Sequence, residues 1–356
     1  MVSLIKDLGD EALKRENTSL LLYTFAHFAV DFACANLIFR ISGSFSDAAL
    51  LMLTYNFCAF AMQLPMGVIL DKLGRNALAA AVGCLLTGAA YLFGSSPMAA
   101  AVVCGLGNAA FHLGGGIDVL NGSEKAAPSG VFVSSGAIGL FLGTLCAKSG
   151  AAVNMLVISA LCLLAVGIVF LRKRLYGNVR SENAEFSLPD KSVFAWGALA
   201  LLFAVVLLRS FAGFGMGFGW KTGFGALLAV ICAALGKFFG GFASDRLGSI
   251  TASAVSLGAA ALLCIFGNNI ICGALAILTF NMTMPITLRK AADICGGCKG
   301  FSFGLMTFGL FCGFIPVYAE KSLSLSPAML CVFCIASLVL LLTSLYLIKR
   351  GRSCRN

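Results

Sequence analysis

The chain has 356 residues, of which 60% are hydrophobic and only 11% are Asp, Glu, Lys or Arg, with a formal net charge of +10. Soluble proteins carry about 25% charged residues, and a mean hydropathy of +0.97 excludes an ordinary soluble fold. Apolar blocks long enough to cross a bilayer, which takes about 20 helical residues, alternate with short polar turns, so the sequence predicts a polytopic all-α membrane protein.

Residues 1–19, "MVSLIKDLGDEALKRENTS", are polar and mixed in charge and lack the pattern of a cleavable signal peptide; they predict a cytoplasmic segment lying on the inner membrane surface. The first half then offers spans at 20–41, 47–69, 76–94, 98–120, 128–148 and 151–171. A polar cytoplasmic linker, 172–192, follows the sixth. The second half gives spans at 193–213, 221–243, 249–266, 268–288, 300–320 and 326–348, and residues 349–356 form a cytoplasmic tail. Two six-helix bundles, 20–171 and 193–348, are therefore expected.

Charged groups inside these spans cost about 2.5 to 3.5 kcal/mol at mid-bilayer, so each needs a reason. The first span places His27 and Asp31 at i and i+4, on one helical face; the fourth places Asn108 and His112 at the same spacing. Counted from the cytoplasmic ends, the two histidines lie at similar depth, and so do Asp31 and Asn108. This spacing predicts a proton-coupling site of Asp31, His27 and His112, with static pairing of the same groups as the competing reading. The seventh span holds Arg209, a candidate contact for an anionic substrate or an ion-pair partner of Asp31 or Glu320, and the tenth holds Asn281. Asn108, Arg209 and Asn281 form the expected substrate-binding set. Lys237, in the eighth span, stands apart and is read as snorkelling inward.

Nineteen of the 25 Lys and Arg residues fall in the segments on the side of the termini, whereas only Arg40, Lys148, Lys221 and Lys321 fall in the opposite turns. The positive-inside rule thus places both termini in the cytoplasm, of a plasma (inner) membrane protein. The positive charge is a topology signal and requires no nucleic-acid partner. The fifteen cysteines sit mostly in apolar runs and read as packing residues. "CGGC" (295–298) has no second pair to complete a metal site, and the Gly-rich "GFGMGFGWKTGFG" (213–225) lacks the setting of a phosphate loop, so no metal or cofactor is expected.

The halves repeat. "GVILDKLGRN" from Gly67 recurs as "GFASDRLGSI" from Gly241, each after the second span of its half; Asn108 pairs with Asn281, and "GLFLG" (139–143) with "GLFCG" (309–313), at nearly one offset. Gly67, Asp71, Lys72, Gly74 and Arg75, with Gly241, Asp245 and Arg246 in the second copy, predict a cytoplasmic gate latch that holds an outward-open state, with a positive-inside tight turn that has no gating role as the competing reading. The loop pattern resembles the signature of the major facilitator superfamily. That resemblance implies twelve helices in two pseudo-repeats, with the first, fourth, seventh and tenth lining a central cavity.

Within it, His27, Asp31, Gly105, Gly107, Phe111, His112, Gly136 and Gly139 resemble the fosmidomycin-resistance branch, which implies proton-driven efflux of small antibiotics. The chain departs from that branch at Leu113-Gly114, where the branch has Pro-Glu; "LGGG" predicts a bend in the fourth helix instead. The function expected is secondary active transport by alternating access, coupling protons to export of a small polar or anionic organic compound or drug. Symport or uniport on the same fold, and a degenerate transporter acting as a membrane sensor, are the alternatives. An enzyme is not expected, because no serine or cysteine stands in a nucleophile setting. The partners expected are that small-molecule substrate, protons and the lipid bilayer, for a monomer.

Overall fold

A computed structural model describes the backbone of residues 2–43, 45–176, 183, 185–189, 192–320 and 323–353, and the side chains of these except 2–14, 176 and 352. The remainder of the expected linker, residues 177–182, 184, 190 and 191, lies outside the described residues, as do Met1 and residues 354–356 of the tail. So do the side chains of Lys6, Lys14, Arg180, Lys191, Lys321, Arg352 and Arg355, which entered the charge bias.

The first half comprises α1 (Val2–Ser42), α2 (Ala48–Asn56), α3 (Gln63–Leu73), α4 (Asn76–Ala90), α5 (Pro97–Gly122), α6 (Ala127–Ser149) and α7 (Asn154–Tyr176). The second comprises α8 (Val193–Gly215), α9 (Phe224–Leu247), α10 (Ser249–Ile265), α11 (Ile270–Asn281), α12 (Thr283–Ile294), α13 (Lys299–Ala319) and α14 (Pro327–Ser353). Among the described residues ten segments are long and apolar enough to span a bilayer, and α4 and α10 are shorter apolar helices, which together fill the twelve expected positions of a multi-pass membrane protein. Residues 2–19, expected as a separate surface segment, continue the helix of the first span without interruption.

Two spans are broken, each close to a proline. A π turn, Phe57–Ala61, joins α2 to α3 ahead of Pro65, whose missing N–H and ring disfavour a regular bond to the carbonyl four residues earlier. Met282 separates α11 from α12 ahead of Pro285 in the same way. At both breaks an amide side chain stitches the helix: Gln63 Nε2 donates to the Ala59 carbonyl at 2.6 Å, and Asn281 Nδ2 to that of Ile277 at 2.8 Å. The tight turn after α3 needs Gly74, whose φ of 61° lies in the left-handed region. By contrast α5 runs unbroken through Leu113 to Gly116, so the expected bend is absent. Those glycines serve close packing: a Cβ at Gly114 would strike the α4 backbone near Ala80, and one at Gly116 the ring of Phe303.

The buried apolar residues fall into two clusters, one per half, although the first also takes in Leu288, Ala292 and Phe303 of the second half. The first is built around Phe111, Phe132, Leu51 and Leu161, the other around Leu199, Leu202, Leu257 and Leu330. The halves meet along two main seams, the π turn and α3 against α13, and α6 against α9. Glycine lets main chains touch there. A side chain at Gly67 would collide with the Gly300 backbone, and one at Gly241 with that of Ala126 and Ala127.

Candidate ion site and gate

Three helices of the first bundle bring the intramembrane polar groups together. On α1, the i and i+4 spacing sets His27 Nε2 3.2 Å from Asp31 Oδ2. On α5, the same spacing points Asn108 and His112 at α1: Asn108 Nδ2 donates to Asp31 Oδ1 at 3.0 Å, and His112 Nε2 lies 3.7 Å from that oxygen. The two histidine Nε2 atoms are 2.8 Å apart. Helix α6 completes the pocket with the Phe132 carbonyl and with Gly136, where a Cβ would overlap Asp31 Oδ2 and His27 Nε2. His27, Asp31 and Asn108 are all buried.

The hydrogen bonds assign the ring hydrogens. His27 Nδ1 is 2.7 Å from the Phe132 carbonyl oxygen and His112 Nδ1 is 2.9 Å from that of Asn108. A carbonyl only accepts, so both Nδ1 atoms carry hydrogen. In neutral rings both Nε2 atoms would then present lone pairs to one another and to a carboxylate. Such a cluster is satisfied only with a cation between its members. A single shared proton gives one imidazolium, one imidazole and one carboxylate, with no net charge.

Two cations, Lys237 and Arg209, lie within the spans of the second bundle. The Lys237 ammonium on α9 is close enough to interact electrostatically with Asp31, His112 and Arg209. Arg209 on α8 is buried, with its guanidinium carbon 5.5 Å from the Phe280 ring centroid. It stacks on that ring and makes no ion pair with Asp31, and its Nε has no hydrogen-bond partner among the described residues. Asn281 spends its amide on its own helix break.

At the end of the bundles that carries the chain termini, the repeated loops clasp opposite halves. Asp71, at the end of α3, accepts the Gly300 amide at 2.7 Å and the Phe301 amide at 2.8 Å, at the start of α13. Asp245, at the end of α9, accepts the Ala126 amide at 2.8 Å and the Ala127 amide at 2.9 Å, at the start of α6. Each carboxylate caps orphan N–H groups where the helix dipole is positive. Gly67 and Gly241 permit the approach. Lys72 lies over the ring of Phe186 in the linker, 5.1 Å from its centroid, while Arg75 and Arg246 are exposed and enter neither clasp.

No protein-family model matches the chain, and no curated protein matches it in sequence. Many solved structures match in fold. The human organic anion transporter MFSD10 superposes with a TM-score of 0.67 at 15% identity, covering 93% of this chain and 99% of that one. The Escherichia coli fucose:proton symporter gives 0.66 at 13% identity, covering 92% and 97%. A bacterial homologue of the iron transporter ferroportin, in an outward-facing state, gives 0.64 at 15% identity over 95% and 99%. The chain has the major facilitator fold.

Within that fold, sequence reasoning placed the triad of His27, Asp31 and His112 and the paired aspartates, and missed others. Arg289 was counted as an inner charge and, through the resemblance, as one of the tenth-span groups facing the central path. On α12 it donates to the carbonyls of Leu120 (3.0 Å) and Ser123 (2.7 Å) at the end of α5, and Lys299 Nζ reaches Leu120 as well at 3.1 Å. Orphan carbonyls at a helix C-terminus are the natural partners of cations, so the clue was the end of α5 itself. Asp118 is held inside the first bundle by Tyr23 and Asn76, at 2.7 and 2.9 Å. Lys237 was set aside as a snorkelling residue, yet its position repeats that of Gln63, 174 residues earlier, on the inter-bundle seam.

Proposed function

We propose that the protein is a secondary active transporter of the inner membrane, with both termini in the cytoplasm, that works by alternating access. The reciprocal clasp carries this reading. Asp71 and Asp245 close one end of the molecule with hydrogen bonds between bundles that are each built largely around their own apolar cluster, with Leu288, Ala292 and Phe303 crossing between them. Such bonds can be exchanged for water when the bundles rock, whereas opening a shared apolar core would cost far more. The clasped end is the cytoplasmic gate, and the clasp holds the outward-open state.

The triad of His27, Asp31 and His112 is the proton-coupling site. With a proton shared, the cluster is neutral and stable in a buried setting; without it, a carboxylate and two opposed lone pairs are left, which favours rearrangement toward water. Lys237 and Arg209 give the facing side of the path an excess of positive charge, which suits a small polar or anionic organic substrate, with Asn108 and Asn281 supplying polar contacts. The direction proposed is export in exchange for protons. The likeness of the His27 to Asp31 and Phe111 to His112 segments to the fosmidomycin-resistance branch supports that direction.

The test is proton flux in proteoliposomes carrying an internal pH dye and an imposed gradient, with a panel of small organic anions and cationic drugs. Substrate-dependent flux in the wild type that is lost in Asp31→Asn supports the reading. Equal substrate movement in both proteins makes the protein a facilitator, and no flux with any compound leaves the sensor reading.

A further inference from the structure

The sequence contains two histidines, and both converge on one carboxylate although His27 and His112 stand 85 residues apart. One donor atom from each of His27, Asp31 and His112 lies within 4.8 Å of the others. The two Nε2 atoms are 2.8 Å apart, His27 Nε2 lies 3.2 Å from Asp31 Oδ2 and His112 Nε2 3.7 Å from Asp31 Oδ1, so each histidine addresses its own carboxylate oxygen at distances near the separation of about 3.4 Å that ligands adopt around a tetrahedral ion with bonds of about 2.0 to 2.1 Å.

The surroundings are those of oriented ligands. Each imidazole is tied by Nδ1 to a main-chain carbonyl, which fixes the ring and leaves Nε2 as the donor, the arrangement by which proteins aim histidines at metals. Asn108 steadies Asp31 through Nδ2, while its buried Oδ1 has no hydrogen-bond partner among the described residues. Gly136 lets Asp31 Oδ2 and His27 Nε2 pack directly against the α6 main chain, where any Cβ would overlap them.

We infer that the His27, Asp31 and His112 cluster binds a divalent transition-metal ion of the imidazole-preferring class, such as Zn2+ or Co2+, in place of the shared proton. This rests on the reading of the cluster as the ion site of a transporter and names a second ion for it. Two nitrogen donors and one carboxylate suit such ions and do not suit Mg2+ or Ca2+, which take oxygen ligands. Entry of the ion releases the shared proton and raises the local charge by one unit. Three protein ligands leave a coordination position open, and with Lys237 nearby an anion is the ligand that restores the balance.

The experiment is a titration of tag-free, full-length protein in detergent with Co2+, read by its visible absorption, and with Zn2+ on protein carrying 15N-labelled histidine. The expected result is saturable binding of one Co2+. In Asp31→Asn, His27→Gln and His112→Gln it weakens by more than the roughly 10- to 100-fold that outer-sphere changes cost. In wild-type protein, where folding of variants is not at issue, both Nε2 resonances shift on Zn2+ addition while both Nδ1 stay protonated. Unchanged histidine resonances, absorption that never saturates, or cobalt spectra dominated by thiolate charge transfer would overturn the inference. Proton-coupled flux measured with a chelator present separates the two proposals. If it persists while metal fails to bind, only the metal site falls; if metal binds and no compound drives flux, the transport reading falls.

Discussion

Asp71 and Asp245 hold equivalent places in the two halves, and each grips the first amides of a helix in the opposite bundle. They differ in exposure: Asp71 is buried at 7%, whereas Asp245 is exposed. Burial also raises the pairing requirement, because a lost partner leaves main-chain N–H groups without water.

Asp71→Ala should therefore weaken the closed end more than Asp245→Ala. A charged hydrogen bond contributes about 1.5 to 3 kcal/mol, so losing the net worth of even one of its two bonds should raise the open fraction by at least about 10- to 100-fold in Asp71→Ala. Cys298, which precedes α13 and is buried, reports on this. Its labelling by a membrane-impermeant maleimide should speed up in Asp71→Ala and change less in Asp245→Ala.

Gly67→Val should force α3 away from α13, because any Cβ at Gly67 meets the Gly300 main chain, which cannot yield as a side-chain tip does. Overpacking typically costs about 1 to 3 kcal/mol. A drop in the thermal midpoint is expected, whereas Gly94→Ala, with nothing within 4 Å of the new methyl, should leave the midpoint unchanged.

Gly136→Ala tests the ion site without altering a donor. The added methyl overlaps Asp31 and His27, and a cost of about 1 to 3 kcal/mol there corresponds to roughly 5- to 150-fold weaker ion retention. Proton-coupled flux should fall by a similar factor, while Ile138→Ala, on an exposed part of the same helix, should retain it.

Arg289→Ala should destabilise by about 3 to 5 kcal/mol, since it removes a buried cation paired with Asp293 and bonded to the end of α5. Arg75→Ala removes an exposed cation that joins neither clasp and should change the thermal midpoint little. Equal effects would show that the anchoring role assigned to Arg289 is mistaken.

The contrast between Arg289 and Arg75 also shows what a sequence can carry. Twelve spans were legible because hydropathy and glycine-punctuated turns are local properties, and the duplicated loop announced itself by recurring at a fixed offset. His27 with Asp31, and Asn108 with His112, were legible because i and i+4 spacing puts a pair on one face. What periodicity cannot say is which main chain lies opposite that face. Arg289 reads as an inner charge and a group facing the central path, and Gly136 only as part of a family likeness; that Arg289 bonds the end of α5 and Gly136 backs Asp31 and His27 depends on those neighbours. Asn281 matched Asn108 by offset, but Pro285 four residues later breaks the helix and the Asn281 amide turns to the break. The run "LGGG" was expected to bend α5; its glycines instead admit α4 and Phe303.

The central claim is that the two aspartate clasps set whether this end of the molecule is open. It is tested most directly by spin labels introduced as non-canonical residues at Leu73 and Gly296, one on each bundle beside the gate, with distances measured in lipid nanodiscs. The account predicts a single short population in the wild type and a second, longer one in the Asp71→Asn, Asp245→Asn double variant. The same distance distribution in a folded double variant would contradict it.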